Sequence, residues 1–138
     1  MKRCRLTRVC SVLLLVALLF SITVPFASAY SEVTRSAFPS YFDAINYVTD
    51  NGLMNGTSST TFEPNTVISR AMIVTTLHRL AGSPASYASV NFTDVSTSAW
   101  YYNAVRWAVK YGITTGATTT TFEPDSTVTR EQAVTFFY

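Results

Sequence analysis

Cysteine is nearly absent from this chain of 138 residues, whose only two cysteines, Cys4 and Cys10, lie near the N terminus. Charged residues make up only 13% of the sequence, and His78 is the single histidine. Since no Cys, His or Asp cluster has metal-ligand spacing, the sequence predicts no metal site and no cofactor. It also lacks a nucleophile elbow and a glycine-rich phosphate loop, which disfavours common hydrolase and nucleotide-binding classes.

One long apolar run is present, at the N terminus. A basic segment, residues 1–8, precedes the apolar residues 9–24, and Ala27-Ser28-Ala29 then offers a signal-peptidase site. This order predicts a secretory signal peptide over residues 1–29 and a mature start near Tyr30. The alternative is an uncleaved membrane anchor, but the run is short for a bilayer span.

Removal of this segment changes the charge of the chain. Residues 30–138 contain six basic and eight acidic residues, a net charge of −2, and no cysteine. The basic pI therefore belongs to the leader, and a nucleic-acid partner is not expected. About 109 residues without a disulfide are enough for one small domain.

A unit of roughly sixty residues occurs twice. Residues 41–78 align with residues 101–138 at an offset of sixty without a gap, and twelve of the thirty-eight pairs are identical. Each copy reads as a helix, a Gly-x-x-x-Gly turn, a Phe-Glu-Pro segment and a second helix. Repeats of this kind share a core that no single unit could bury. We place repeat 1 at residues 30–86 and repeat 2, shortened at its C-terminal end, at residues 87–138.

Apolar spacing predicts the helices. The first helix of repeat 1 has a stripe at Tyr41, Ala44, Ile45 and Val48 and ends at Gly52, and repeat 2 follows the same pattern. The second helices begin after the N-cap residues Ser69 and Thr129. Their buried face in repeat 1 is predicted to comprise Ile73, Val74, Leu77 and Leu80. The fold class is therefore mostly α.

Both second helices begin with an arginine, Arg70 or Arg130. A cation at the positive end of the helix dipole is unfavourable, so its occurrence in both copies suggests a function. With free helix N–H groups, a guanidinium would bind a carboxylate or similar anion. The alternative is an internal salt bridge to Glu63, Glu123 or Asp125.

Asp94 and Trp100 precede the first helix of repeat 2. Asp94 could accept hydrogen bonds from sugar hydroxyls and Trp100 could stack on a sugar face. Their alternative roles are a loop-capping aspartate and a core tryptophan. A carboxylate pair for glycoside hydrolysis among Glu123, Asp125 and Glu131 is disfavoured, because only Glu123 recurs in repeat 1. The chain is predicted not to be an enzyme.

The spaced residues of repeat 2 resemble the S-layer homology (SLH) repeat. The resemblance rests on Phe92-x-Asp94-Val95, Trp100-Tyr101, Gly112-Ile113, Gly116, Phe122-x-Pro124 and Val128-Thr129-Arg130-Glu131. Repeat 1 matches more loosely, with Thr34 opposite Asp94 and Ser40 opposite Trp100, so that this half of its motif is read as lost. It also has Met72 after Ala71 where the family favours glutamate.

The resemblance implies a three-repeat, pseudo-threefold helical assembly that anchors secreted proteins to the bacterial cell wall without a covalent bond. Its implied partner is secondary cell-wall polysaccharide, often carrying acidic pyruvylated sugars. Further SLH repeats or self-association would complete the bundle. The implied ligand-binding residues are Arg70, Asp94, Trp100, Gly116, Arg130 and Glu131. Alternatives are the tether of an enzyme whose catalytic domain lies beyond residue 138, and a structural S-layer subunit.

Overall fold

The computed structural model describes residues 30–138, and the predicted signal peptide and its alternative, a membrane anchor, lie outside that range. The described chain has four helices, α1 (Phe42–Asp50), α2 (Arg70–Leu80), α3 (Tyr102–Lys110) and α4 (Arg130–Phe137). It has no strand, only an isolated antiparallel bridge between Ser69 and Thr127. The predicted mostly α fold with two helix-loop-helix repeats is therefore confirmed. None of these helices is long and apolar enough to cross a membrane.

Local sequence explains where the helices begin and end. Thr129 and Gln132 form a capping box at the start of α4, whereas Ser69 at the start of α2 only accepts a hydrogen bond from Met72 N. Gly52 and Gly112 follow α1 and α3 with φ of 64° and 72°, a left-handed conformation that glycine adopts without strain. The predicted caps and stops are all present.

The two repeats share one hydrophobic core. Helix α2 of repeat 1 packs against α3 and α4 of repeat 2. The buried cluster takes residues from both repeats: Ile73, Val74, Val95, Ala104, Val105, Trp107, Ala108, Phe122 and Phe136. Because α2 lies among the helices of the other repeat, neither repeat could bury this apolar surface alone.

Helix α1 is the exception to the repeat symmetry. Ala104 on α3 is 2% exposed, but the matching Ala44 on α1 is exposed, as is Tyr41. The prediction that these two residues belong to a buried stripe is wrong, because no helix within residues 30–138 covers α1 as α2 covers α3. Leu80, predicted to be buried, is also 64% exposed at the end of α2.

Candidate functional site

Asp94 holds the Phe-Glu-Pro segment of repeat 2. Its carboxylate accepts hydrogen bonds from Phe122 N at 2.9 Å and 3.2 Å and from Glu123 N at 2.7 Å. Glu123 has a φ of 59°, so the chain turns sharply here and points two N–H groups at one carboxylate. The loop-capping role, one of the two alternatives for Asp94, accounts for these contacts.

Repeat 1 has an equivalent carboxylate that the ungapped alignment missed. Glu32 Oε1 accepts hydrogen bonds from Phe62 N and, at 3.1 Å, from Glu63 N. Tyr30 packs on Phe62 as Phe92 packs on Phe122, with ring centroids 5.5 Å and 5.9 Å apart.

The expectation that half of the motif is lost from repeat 1 is therefore wrong as regards the carboxylate. Tyr30-Ser31-Glu32-Val33 matches Phe92-Thr93-Asp94-Val95 once a shift of two residues is allowed. The additional methylene of glutamate keeps the carboxylate within reach of the loop.

Glu32 provides a prediction about acid stability. The hydrogen bonds from Phe62 and Glu63 lower the pKa of Glu32 below its ordinary value of 4.5. A carboxyl whose pKa is lower in the folded state stabilises the fold above its unfolded pKa, and this contribution disappears as the pH falls through the folded pKa. Glu32→Gln should therefore reduce the loss of unfolding free energy between about pH 6 and pH 3.

Urea unfolding at several pH values, followed by circular dichroism, measures this slope. Glu131→Gln is the matched control, because its carboxylate makes no hydrogen bond within residues 30–138. Equal slopes for Glu32→Gln and the wild type would show that the Glu32 carboxylate does not stabilise the fold as an anion.

Gly116 is packed too tightly for a side chain. Its φ is 99°, and a Cβ would lie 2.4 Å from Thr118 O and 2.6 Å from Phe92 Cε1. The residue lets the turn close over the Phe92 ring. Gly116 therefore helps to shape the Phe-Glu-Pro segment of repeat 2 (the Phe122 loop), which Asp94 also holds.

Arg70 joins the repeats. It is 7% exposed, its Nε donates a hydrogen bond to Phe122 O at 2.7 Å, and its guanidinium lies 5.0 Å and 5.3 Å from the ring centroids of Phe122 and Phe136. Burial lowers the pKa of Arg70, while the charges of Glu123 and Asp94 raise it. Arg70 forms no salt bridge: the only one within residues 30–138 joins Arg35 and Asp43. The predicted alternative of an internal ion pair is therefore wrong for Arg70.

Backbone hydrogen bonds extend this contact. Arg70 N and Ala71 N donate to Ser126 O at 3.0 Å and to Pro124 O at 2.9 Å, so repeat 2 satisfies the first N–H groups of α2. In the other direction, Val128 N donates to Ile68 O at 3.2 Å. Hence carbonyls of repeat 2 already accept hydrogen bonds from the first N–H groups of α2.

Arg130 has the same sequence position and a different environment. Arg130 and Glu131 are exposed at the start of α4, and their side chains make no hydrogen bond or ion pair within the described range. The first N–H groups of α4 likewise have no carbonyl partner there. Of the two arginines, Arg130 is thus the one whose guanidinium is free to meet another molecule.

Trp100 lies at a pocket rather than in the core. It is 63% exposed and packs edge-on against Tyr101, with ring centroids 5.1 Å apart. The core tryptophan is instead Trp107, which is 7% exposed. Trp100 lines a pocket of about 440 Å³ whose other walls come from repeat 1, namely the Gly56 turn, the Phe62–Ile68 segment and one face of α2.

Two polar residues in this pocket were not predicted. Thr75 is 6% exposed, and its Oγ1 is buried without a hydrogen-bond partner. Arg79 contributes a guanidinium whose Nη1 donates a long hydrogen bond of 3.4 Å to Leu53 O. An unpaired buried hydroxyl is costly, and Thr75 Oγ1 is enclosed by protein atoms although its residue lines the pocket. Thr75 is one of the identical repeat pairs, which was an available signal, whereas Arg79 gave none.

The structure does not gather all the predicted residues into one site. Trp100 lines the pocket; Arg130 and Glu131 do not. Arg70, Asp94 and Gly116 belong to the contacts that hold the Phe122 loop and join the repeats.

No group of three or more His, Cys, Asp or Glu residues within 30–138 could hold a metal ion. His78 is buried, and its Nε2 donates to Pro84 O at 3.0 Å, since a carbonyl can only accept. It packs against Trp107, with ring centroids 5.4 Å apart. His78 is thus a packing residue that fixes the start of the linker between the repeats.

The paired helix-loop-helix units, with a carboxylate holding each Phe-Glu-Pro loop, define a tandem-repeat module. The chain matches the S-layer homology domain over residues 36–71 and 91–134 and belongs to this family. The predicted resemblance is thereby confirmed.

Relatives of this chain are much longer proteins. It is 35% identical over 131 residues to an endoglucanase of Bacillus sp. (strain KSM-635), a match covering 88% of this chain and 14% of the enzyme. It is 35% identical over 118 residues to the surface-layer 125 kDa protein of Lysinibacillus sphaericus, covering 85% of this chain and 10% of that protein. Endo-1,4-beta-xylanase A of Thermoanaerobacterium saccharolyticum is 32% identical over 90 residues, a match covering 65% of this chain and 8% of that enzyme. The chain spans less than a sixth of each.

Proposed function

We propose that this chain is a non-catalytic anchoring module that attaches to the bacterial cell wall by binding an acidic secondary cell-wall polysaccharide without a covalent bond. Membership of the S-layer homology family supports the proposal. So does the kind of relative: one is named as a surface-layer protein, and two are named as polysaccharide-degrading enzymes. What these share with the chain is a short segment, as expected of an anchor attached to different cargoes.

The observation that carries the proposal is the pocket beside Trp100. An exposed indole offers an apolar face to a sugar ring, while the guanidinium of Arg79 offers hydrogen bonds to its substituents. Arg79 would pair with an acidic substituent, since charge-assisted hydrogen bonds are the strong ones.

The arginines and the loop residues have different proposed roles. Arg130 and Glu131 form a second contact with the polymer, in which the free guanidinium of Arg130 pairs with an acidic group and the Glu131 carboxylate accepts from sugar hydroxyls. Arg70 acts indirectly, because burial against Phe122 leaves it to join the repeats that shape the pocket. Asp94 and Gly116 also act indirectly, by holding the Phe122 loop.

Sedimentation of the purified protein with cell walls tests this proposal. Trp100→Ala and Arg79→Gln should each weaken binding by about tenfold or more, the effect of losing a stacked ring or a charge-assisted hydrogen bond. Arg130→Ala should also weaken binding, by a similar factor. When the walls are stripped of their acidic substituents, the arginine variants and the wild type should bind equally well.

The matched controls are Tyr47→Ala, another exposed aromatic residue, and Lys110→Ala, another surface cation; neither lines the pocket. If Trp100→Ala and Arg79→Gln sediment like these controls, the pocket is not the glycan site. If only Arg130→Ala sediments like the controls, Arg130 does not contact the polymer, and the proposal that the pocket binds the glycan is unaffected.

A further inference from the structure

The dipeptide Asn-Gly occurs twice in the chain, at Asn51-Gly52 and Asn55-Gly56, and both lie in repeat 1. Repeat 2 has Tyr111-Gly112 and Thr115-Gly116 at the matching positions. A glycine after an asparagine makes the pair chemically labile, because without a Cβ the glycine nitrogen easily reaches the asparagine side chain. Each Asn-Gly pair is therefore a candidate site of spontaneous deamidation.

Deamidation is an intramolecular attack within the pair. The backbone nitrogen of the glycine bonds to the side-chain carbonyl carbon Cγ of the asparagine, the bond from Cγ to Nδ2 breaks, and ammonia leaves with the proton of the glycine N–H. Water then opens the resulting cyclic imide at either carbonyl, which gives aspartate or, when the main chain runs through the side chain, isoaspartate. Water is consumed and ammonia is released, so the reaction requires no cofactor and no second enzyme.

At Asn51-Gly52, the end of helix α1 holds both reacting groups. Asn51 Nδ2 donates a hydrogen bond to Tyr47 O at 2.8 Å, and Gly52 N donates to Thr49 O at 3.0 Å. Both hydrogen bonds have to break before the attack, and each slows the reaction by about fivefold. The structure therefore protects Asn51.

At Asn55-Gly56, only one of the two reacting groups is held. The Asn55 side chain is exposed and makes no hydrogen bond within residues 30–138, whereas Gly56 N donates to the Tyr30 hydroxyl at 2.7 Å. Packing requires a glycine here, because a Cβ would lie 2.1 Å from Thr61 O. The fold does not require the asparagine, since Thr115 occupies the matching place in repeat 2.

We propose that Asn55 is a deamidation site of the folded protein, and that the Tyr30 hydroxyl sets the rate by holding the Gly56 nitrogen. The attack becomes possible whenever this hydrogen bond opens, because no other hydrogen bond within residues 30–138 restrains the Asn55 amide or the Gly56 nitrogen. Asn51 reacts more slowly under the same conditions.

Deamidation of Asn55 adds a negative charge to the pocket beside Trp100. Asn55 and Arg79 both line this pocket, and Arg79 Nη1 donates its long hydrogen bond to Leu53 O, in the same loop as Asn55. The consequence for binding rests on the proposed function, in which Arg79 pairs with an acidic sugar substituent. Because like charges repel, the deamidated protein binds such a polymer more weakly than the original protein does.

Incubation of the exported protein at neutral pH, followed by peptide mass spectrometry, tests the site itself. Aspartate and isoaspartate should accumulate at Asn55 at least about fivefold faster than at Asn51, since one fewer hydrogen bond has to break. Tyr30→Phe keeps the ring that packs on Phe62 but removes the acceptor. It should speed the reaction at Asn55 by about fivefold and leave the rate at Asn51 unchanged. Asn55→Thr, which introduces the residue type of repeat 2, should abolish the reaction at this position.

Two outcomes overturn the proposal. Equal rates at Asn55 and Asn51 would show that the structure does not single out Asn55. A rate at Asn55 that is the same in Tyr30→Phe and the wild type would show that the Tyr30 hydroxyl does not control the reaction.

Sedimentation with cell walls tests the consequence separately. Asn55→Asp, which carries the charge of the deamidated residue, should weaken binding by about fivefold or more, whereas Asn51→Asp, the same change outside the pocket, should bind like the wild type. If Asn55→Asp binds as well as a wild type that does bind, the consequence is wrong and the proposed function stands. If the wild type does not bind, the proposed function and the consequence both fail, while the deamidation site is still decided by mass spectrometry.

Discussion

Phe122→Ala should lower the free energy of unfolding by about 3–5 kcal/mol, the usual cost of removing a buried phenylalanine ring. Phe122 is fully buried, contacts Phe92 and lies under the guanidinium of Arg70. Its loss would leave a cavity where the loop of repeat 2 meets α2. Since small domains are stable by only about 5–15 kcal/mol, this single change should remove a large share of the total.

Phe62→Ala is the matched control, because Phe62 occupies the same motif position in repeat 1 but is only half-buried. Its expected cost is clearly smaller, since solvent already reaches part of the ring and a truncated side chain leaves less empty volume. Urea unfolding followed by tryptophan fluorescence measures both. Equal losses for the two variants would contradict the view that the shared core lies on the repeat 2 side of the molecule.

Because the two repeats share one core, we expect them to unfold together. Helix α2 belongs to repeat 1 by sequence but packs among α3 and α4. A cavity at Phe122 should therefore shift a single transition rather than create a separate one for repeat 2. Tryptophan fluorescence, to which Trp100 and Trp107 both contribute, and far-ultraviolet circular dichroism should report the same midpoint.

The sequence predicted the parts of this fold that depend on local preference. The four helices, the N-cap at Thr129, and the turns at Gly52 and Gly112 all follow from residues a few positions apart. Backbone conformation and capping are decided within a turn of helix, so their signals survive without knowledge of the neighbours.

What the sequence could not predict depends on which surface has a neighbour. Ala44 and Ala104 occupy the same position in the same apolar stripe, yet only Ala104 is covered by another helix. Periodicity identifies a face that can be buried, not a face that is. In the same way, Val74 is buried and the matching Val134 is exposed.

The carboxylate of repeat 1 was missed for a simpler reason. A constant offset of sixty placed Thr34 opposite Asp94, whereas the chain aligns Glu32 with it through a two-residue shift. A search that allowed a short gap and treated Asp and Glu as equivalent acceptors would have found it. The pocket residues Thr75 and Arg79 lie four positions apart on one face of α2, so helical spacing could have grouped them. What spacing could not predict is that Trp100 of repeat 2 faces them, because that contact depends on tertiary packing.

Arg70→Ala should cost about 2–4 kcal/mol of stability, from a hydrogen bond to a charged group and two partly desolvated cation–π contacts. The substitution leaves Phe122 O buried without its donor and exposes the rings of Phe122 and Phe136 to an empty space. Arg130→Ala, the same change at the matching position, should alter stability by less than about 0.5 kcal/mol, because Arg130 is exposed and unpartnered.

A double-mutant cycle isolates the ring contact. Arg70→Ala and Phe136→Leu, alone and combined, should show a coupling energy of about 1 kcal/mol if the guanidinium is attracted to the Phe136 ring. Arg70→Met adds a second check, since it keeps an apolar chain between the rings but removes the donor to Phe122 O. A coupling near zero would assign the stability to the hydrogen bond alone. If Arg70→Ala and Arg130→Ala lowered the free energy of unfolding equally, the conclusion that only Arg70 stabilises the contact between the repeats would be wrong.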